Sequence, residues 1–214
     1  LTESDVEKLG AVAKCAPPLR SALAQAALWQ SVKRGHVTTI GSDHSPAPPG
    51  MKVDQNFFKV WGGISGVQHT LPLLVTEMRG RSAELQFRAM GKPESENIAP
   101  SWSSALQCIS RLTSLNVAER FNLPTTKGRL TVGADADLAL VDWNQQFTVR
   151  AEDLLYRHRQ SPYVGRALTG RVVRTILRGQ TIFRDGKVVS PPRGRFVKPV
   201  QLSAATRPLT PGLS

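Results

Sequence analysis

Apolar positions first recur with helical spacing in residues 21–33, where Leu28 and Val32 stand four apart in an Ala/Leu-rich run and Gly35 follows as a stop. Side chains at that spacing share one face, so the segment predicts a helix packing a single side. Residues 1–9 read as a helix entered in mid-protein, with Thr2 at its cap and Asp5 in a capping-box position. Residues 37–41 form a short β-branched run that stops at Ser42-Asp43-His44-Ser45-Pro46. That pattern predicts a buried strand with a polar cluster at its C-terminal end, where α/β barrels carry functional residues. A Pro/Gly-rich loop begins at Pro46 and runs to Trp61-Gly62-Gly63-Ile64-Ser65-Gly66, whose glycines suit tight turns or close approach of backbone to a ligand.

From 67 to 79 the spacing is helical again, with Pro72 best placed in a first turn or at a kink. Residues 91–101 predict an exposed loop. Residues 101–121 predict a second helical region with Leu106, Ile109, Leu112 and Leu115 as an apolar stripe and Cys108 as buried filler beside it. The texture changes at Gly128: residues 129–142 alternate, turn at Gly133 and become an apolar strand. Short strands follow at 147–149, 172–177, 181–184 and 187–189, with turns at Gly179 and at Asp185-Gly186. Asp-Gly between strand formers is a hairpin signal. Five prolines between 191 and 214 predict an extended tail. A helix-rich α/β portion over 1–127, a small β-rich portion over 128–190 and a tail over 191–214 is the predicted organisation.

Composition narrows the function classes. The 214 residues are 40% hydrophobic and 21% charged, the balance of a globular chain with many turns. No run approaches the roughly 18 apolar residues that a membrane helix requires. Cys15 and Cys108 are too few for a disulfide framework, which points to a reducing compartment. The net charge of +12 is uneven: residues 150–214 hold 13 Lys/Arg against 3 Asp/Glu. Nucleic-acid binding would require basic residues clustered on one face with aromatic platforms, whereas Arg171, Arg174, Arg178 and Arg184 are scattered singly through strand-like sequence. Neither a nucleic acid nor a membrane is predicted as a partner.

The four histidines, His36, His44, His69 and His158, form no HxH or HExxH pair, and no GxSxG elbow is present. The dense constellation is Asp43-His44-Ser45. Read by itself, Asp43 would cap the following turn. Taken in order, however, Lys14-Cys15-Ala16-Pro17-Pro18, Ser42-Asp43-His44-Ser45-Pro46, Lys59-Val60-Trp61-Gly62-Gly63-Ile64, Gly133-Ala134-Asp135-Ala136-Asp137-Leu138 and Ser161-Pro162-Tyr163-Val164-Gly165-Arg166 resemble successive segments of the allantoinase family. The resemblance covers about residues 5 to 190. Gly-x-Asp-Ala-Asp-Leu marks only the broader cyclic-amide amidohydrolases, shared with dihydropyrimidinase-like enzymes and dihydroorotase, and the three upstream segments are the more particular.

The resemblance implies an α/β fold: the C-terminal part of a metal-dependent (β/α)8 barrel, followed by part of a small β-sandwich. It implies a chain that is a C-terminal piece of an enzyme opening the hydantoin ring of allantoin to allantoate in purine degradation, acting in the cytoplasm or in peroxisomes. In such enzymes a hydroxide bridging two zinc ions attacks the cyclic amide, and an aspartate at the last barrel strand ligates metal and moves the proton to the leaving nitrogen. Asp43 matches that aspartate. Ser45 and backbone groups at Ala16 and Gly62 match substrate-binding positions, His44 receives no role, and His36, His69 and His158 are read as surface or packing residues. The His-x-His pair, the carboxylated lysine and two further histidines of the zinc centre have no counterpart here, so this chain alone is expected to be inactive. A homo-oligomer, commonly a tetramer, is implied for the full-length enzyme. The alternatives are a dihydropyrimidinase or hydantoinase-type enzyme and a non-catalytic remnant.

Overall fold

In the computed structural model, which describes residues 1–89 and 102–201, helices fill the first half of the chain and an antiparallel sheet the second. The helices are α1 (Glu3–Leu9), α2 (Ala22–Lys33), α3 (Thr70–Ala89), α4 (Trp102–Ser110) and α5 (Asn116–Arg120). The strands are β1 (Leu138–Thr148), β2 (Ala167–Leu177), β3 (Gln180–Arg184) and β4 (Lys187–Val188), hydrogen-bonded in the order β1-β2-β3-β4. The predicted 91–101 loop and residues 202–214 of the predicted tail lie outside the described residues.

Local sequence accounts for the helix ends. The Asp5 carboxylate accepts the Thr2 backbone N–H at 2.6 Å and the Thr2 hydroxyl at 3.2 Å, and Ser21 Oγ accepts the Ala24 N–H at 3.3 Å. Such contacts satisfy amides that the first helical turn leaves free. Pro72 sits in the first turn of α3, where its missing N–H costs nothing.

The main core joins α2, α3 and α4 through Val32, Leu74, Val75, Met78, Ala105, Ile109 and Leu112. Two sequence expectations are corrected here. Leu28 is 59% exposed while Val32 is buried, because α2 meets its neighbours through Trp29 and Val32, one residue round the helix. Leu106 is likewise exposed, and the buried stripe is Ala105, Ile109 and Leu112, spaced four and three. Between α4 and α5 the helix widens into a π turn, Arg111–Leu115.

A second core of Val149, Leu154 and Leu168 lies under the sheet, with Leu73, Phe147, Tyr156 and Tyr163 against it. α3 is the bridge between the cores. Its Thr76 hydroxyl accepts the Thr169 N–H at 2.8 Å and has two acceptors for its own proton, Pro72 O at 2.8 Å within the helix and Thr169 O at 3.2 Å. Gly170 lets Val75 reach β2, since a Cβ there would collide with both Val75 methyls.

Three strand expectations also change. Residues 37–41 are extended but pair with no strand among the described residues; the Ile40 N–H donates instead to Leu112 O in the π turn, at 3.0 Å. Residues 129–132 form no strand: the loop is drawn back by the Asp135 N–H on Thr126 O at 2.9 Å and by Lys127 between Asp135 and Asp137. The stretches at 138–142 and 147–149 are mostly one strand, β1, with a bulge where Asp142 Oδ1 accepts the N–H groups of Asn144 and Gln145. The predicted Asp185-Gly186 turn closes β3 onto β4, with φ of 50° and 84°. Among the described residues, no helix is long and apolar enough to cross a membrane.

Candidate functional site

Asp43 stands where residues 37–41 give way to the Pro/Gly-rich loop, with φ 42° in the left-handed region. Its carboxylate is exposed, and no described side chain forms an ion pair with it. A non-glycine residue held at such a φ costs about 1–3 kcal/mol, which the surroundings must over-determine. They do so on both sides. The Ser42 carbonyl lies against Gly66, close enough that a Cβ at Gly66 would stand 3.4 Å from it. After Asp43, His44 Nδ1 accepts the Gly66 N–H at 3.2 Å, with the Val67 N–H at 3.5 Å, and the Ser45 N–H donates to Ile64 O at 2.9 Å.

The other predicted site residues gather beside this bend. A Cβ at Gly63 would collide with the Ser45 side chain, and one at Gly62 would stand 2.9 Å from Ala16 Cβ. Ala16 and Ser45 therefore pack against the adjacent glycines Gly62 and Gly63 along one strip, where the Trp61 indole Nε1 also lies against Gly63.

Two lysines, given no role by the sequence reading, fasten the strip. Lys52 is only 7% exposed, and its ammonium donates to Lys14 O at 3.2 Å and Trp61 O at 2.9 Å. Lys14 Nζ donates to the carbonyls of Phe57, Phe58 and Val60 at 2.6, 3.1 and 2.7 Å. Carbonyl dipoles thus stand in for carboxylates. Burial pushes the Lys52 pKa down, with Cys15 opposing and Lys14 adding to the shift. Burial also pushes the Cys15 thiol up, with Lys52 opposing and Asp43 adding. The Asp43 charge is therefore felt next to Ala16. The lysine signal in the sequence was the Lys14-Cys15-Ala16 segment itself; nothing in the sequence around Lys52 marked it.

Behind the bend lies the segment that follows β1. The Tyr156 ring is 4.9 Å from the His44 ring, and its hydroxyl accepts the Gln68 N–H at 3.1 Å. The Gln68 side chain bonds Asp153 O and the Leu155 N–H, both at 2.9 Å, and Ser161 Oγ donates to Ser65 O at 3.1 Å. His36 is exposed, His158 half-buried and His69 buried in packing. Among the described residues no group of three or more His, Cys, Asp and Glu side chains is placed to hold a metal ion. Asp43 by itself does not fit the two-zinc centre that the resemblance implies, because a metal centre requires its full ligand set. What the strip offers chemically is one free carboxylate beside a hydroxyl and closely packed backbone.

Comparison with known proteins gives the family of the chain. An allantoinase from Rubrobacter xylanophilus is 47% identical over 198 residues, 92% of this chain and 39% of that protein. One from Deinococcus radiodurans is 45% identical over 202 residues, 94% of this chain and 40% of that protein. Among solved structures, an L-hydantoinase (dihydropyrimidinase) from Arthrobacter aurescens superimposes with a TM-score of 0.77 at 28% identity, covering 92% of this chain and 40% of its own. The chain therefore spans about two fifths of the length of the curated relatives it matches. The amidohydrolase family profile matches residues 12–182, and the chain belongs to that family.

Proposed function

We propose that this chain supplies the C-terminal part of an enzyme that hydrolyses the hydantoin ring of allantoin to allantoate. The observation that carries the reading is the contrast in likeness: curated allantoinases reach 47% identity over nearly the whole chain, whereas the hydantoinase structures stand at 22–28%. In this reading Asp43 takes a proton from the attacking water and delivers it to the leaving ring nitrogen, the role of a carboxylate within reach of both. Its exposure and its freedom from ion pairs among the described residues support that use. Ser45 contacts the substrate, and the backbone at Ala16 and Gly62 binds the amide edges of the ring.

Zinc belongs to this reading and not to the described residues: Asp43 would be one ligand, the remainder being carried by the rest of the longer protein. Pairing of the β1–β4 sheet with further strands into a β-sandwich, a homo-oligomeric state and a cytoplasmic setting belong to the same reading. Division of the chain at residues 127 and 190 is part of it too.

The test is allantoate release by the full-length protein with added zinc. Asp43→Ala is expected to reduce turnover at least about 10³-fold, since it removes a proton carrier worth roughly 10²–10⁴ together with a ligand. Near-normal turnover in that variant would remove Asp43 from the mechanism. A wild-type protein that ignores allantoin but opens hydantoins or dihydropyrimidines would transfer the reading to the hydantoinase class, which the structural neighbours favour.

A further inference from the structure

We infer that His44 and Tyr156 are positioning residues that hold Asp43 for the amide hydrolysis proposed above, an inference that rests on that reading of the site. Asp43 occupies a left-handed conformation at φ 42°, which only Gly, Asn and Asp visit readily and which a free chain abandons. Among the described residues no hydrogen bond of its carboxylate holds it there, so its neighbours must.

Gly66 does this from both sides of the aspartate: its Cα faces the Ser42 carbonyl, and its N–H donates to His44 Nδ1 at 3.2 Å. The Val67 N–H converges on the same nitrogen at 3.5 Å. An acceptor at Nδ1 places the ring proton on Nε2. These two amides open the 3-10 turn that leads into α3, where N–H groups have no partner within the helix. His44 thus satisfies donors that would otherwise be orphaned, and the helix start in turn fixes the ring.

Tyr156 closes the clamp from the other end of the chain. Its ring lies 4.9 Å from the His44 ring at a 43° tilt. The tyrosine is itself fixed, because its hydroxyl accepts the Gln68 N–H and Gln68 binds the backbone at Asp153 and Leu155. The segment between β1 and β2 thereby reaches the residue next to the catalytic carboxylate. Neither ring needs to touch substrate: each acts by limiting the directions in which Asp43 can point.

The experiment measures kcat and KM for allantoin hydrolysis in the full-length enzyme bearing His44→Leu, His44→Asn, Tyr156→Leu or Tyr156→Phe. His44→Leu keeps the bulk and removes the acceptor, so kcat should fall about 10–100-fold with KM little changed, as for other groups that orient a ligand or catalytic side chain. His44→Asn, whose amide oxygen can accept the same N–H groups, should recover most of that loss. Tyr156→Leu should lower kcat in the same way, Tyr156→Phe should lower it less, and the double Leu variant should lose less than the product of the single losses. Ser161→Ala, which removes a bond to Ser65 O nearby, serves as the control: it should lower Tm without the kcat effect.

Unchanged kcat in His44→Leu, or equal losses in the Leu and Asn variants, would overturn the inference. If the wild-type enzyme opens no allantoin, the functional reading fails by itself. The clamp is then decided on the protein by 15N NMR, which must find His44 protonated at Nε2 and the Gly66 amide protected from exchange; the opposite tautomer would overturn it.

Discussion

His69 lies 4% exposed between Tyr156 and Tyr163, ring centroids 6.5 and 6.3 Å away, and its Nδ1 has no hydrogen-bond partner among the described residues. Burial holds its pKa below the ordinary 6.5. The folded protein therefore resists a proton that the unfolded chain accepts. Above the unfolded value both states are neutral and the histidine leaves stability independent of pH. As pH falls through about 6.5 the unfolded state is favoured by its extra proton, so stability declines until the lowered folded value is passed. We expect Tm to fall between pH 7.5 and 5 in the wild type and to fall less in His69→Phe, which keeps a ring in the aromatic cluster but cannot titrate. Parallel pH profiles for the two proteins would show that the buried imidazole does not carry the dependence. The sequence predicts only that His69 is a surface or packing residue, its spacing from other histidines denying it a ligand role; its burial depends on contacts with residues almost a hundred positions away, which no local pattern contains.

At the scale of elements, the contact between α3 and β2 decides how the two halves of the chain meet. Gly170 combines φ 88° with direct contact to the Val75 side chain, which is 1% exposed. Gly170→Ala would drive a methyl into those atoms and hold alanine at an unfavourable φ, so a loss of about 1–3 kcal/mol in unfolding free energy is expected. Denaturant unfolding of Gly170→Ala, Val75→Ala and the double variant measures it. If steric conflict contributes, the double variant will be more stable than the sum of the single losses; strict additivity would leave backbone strain as the whole cause. Elements built from adjacent residues were legible in the same way that this contact was not. The α2 helix and the Asp185-Gly186 hairpin follow from local spacing and turn chemistry. The run at 37–41 has strand-forming residues, yet a strand exists only with a partner, and among the described residues Ile40 finds a helix carbonyl instead. Leu106 illustrates the remaining error: hydrophobicity marked it as core, but the angle of α4 turns Ala105 inward. The candidate site, Asp43 with Ser45, Ala16 and Gly62, is marked in the sequence as a set of motifs, while the fastening by Lys14 and Lys52 is not, because ammonium groups satisfied by carbonyls leave no charge pattern in sequence.

For the molecule as a whole, the described surface carries exposed apolar side chains and a long strand at the end of the sheet. Leu130 and Val132 are 88% and 103% exposed on the loop before β1, and Phe58 is 92% exposed beside the candidate site. β1 is an edge strand of eleven residues, longer than the strands by which soluble proteins usually terminate a sheet. An open edge of this length offers unpaired N–H and C=O groups to another chain, and adjacent apolar side chains strengthen the contact. The described part of the tail, residues 191–201, runs elsewhere, from the β2–β3 turn, where Arg178 donates to Arg193 O at 2.6 Å, to the end of α5, where the Val200 N–H donates to Asn122 O at 2.7 Å. We therefore expect the 214-residue chain, produced alone, to associate as its concentration rises in sedimentation velocity and to bind an apolar dye. In the full-length protein the same β1 amides should be protected from hydrogen exchange by a neighbouring strand. The two measurements separate the causes: protection in the longer protein with association of the short chain makes the β1 edge an internal interface, whereas a monomeric short chain with fast-exchanging β1 amides in both proteins would mean that the sheet ends at β1 and that no sandwich forms.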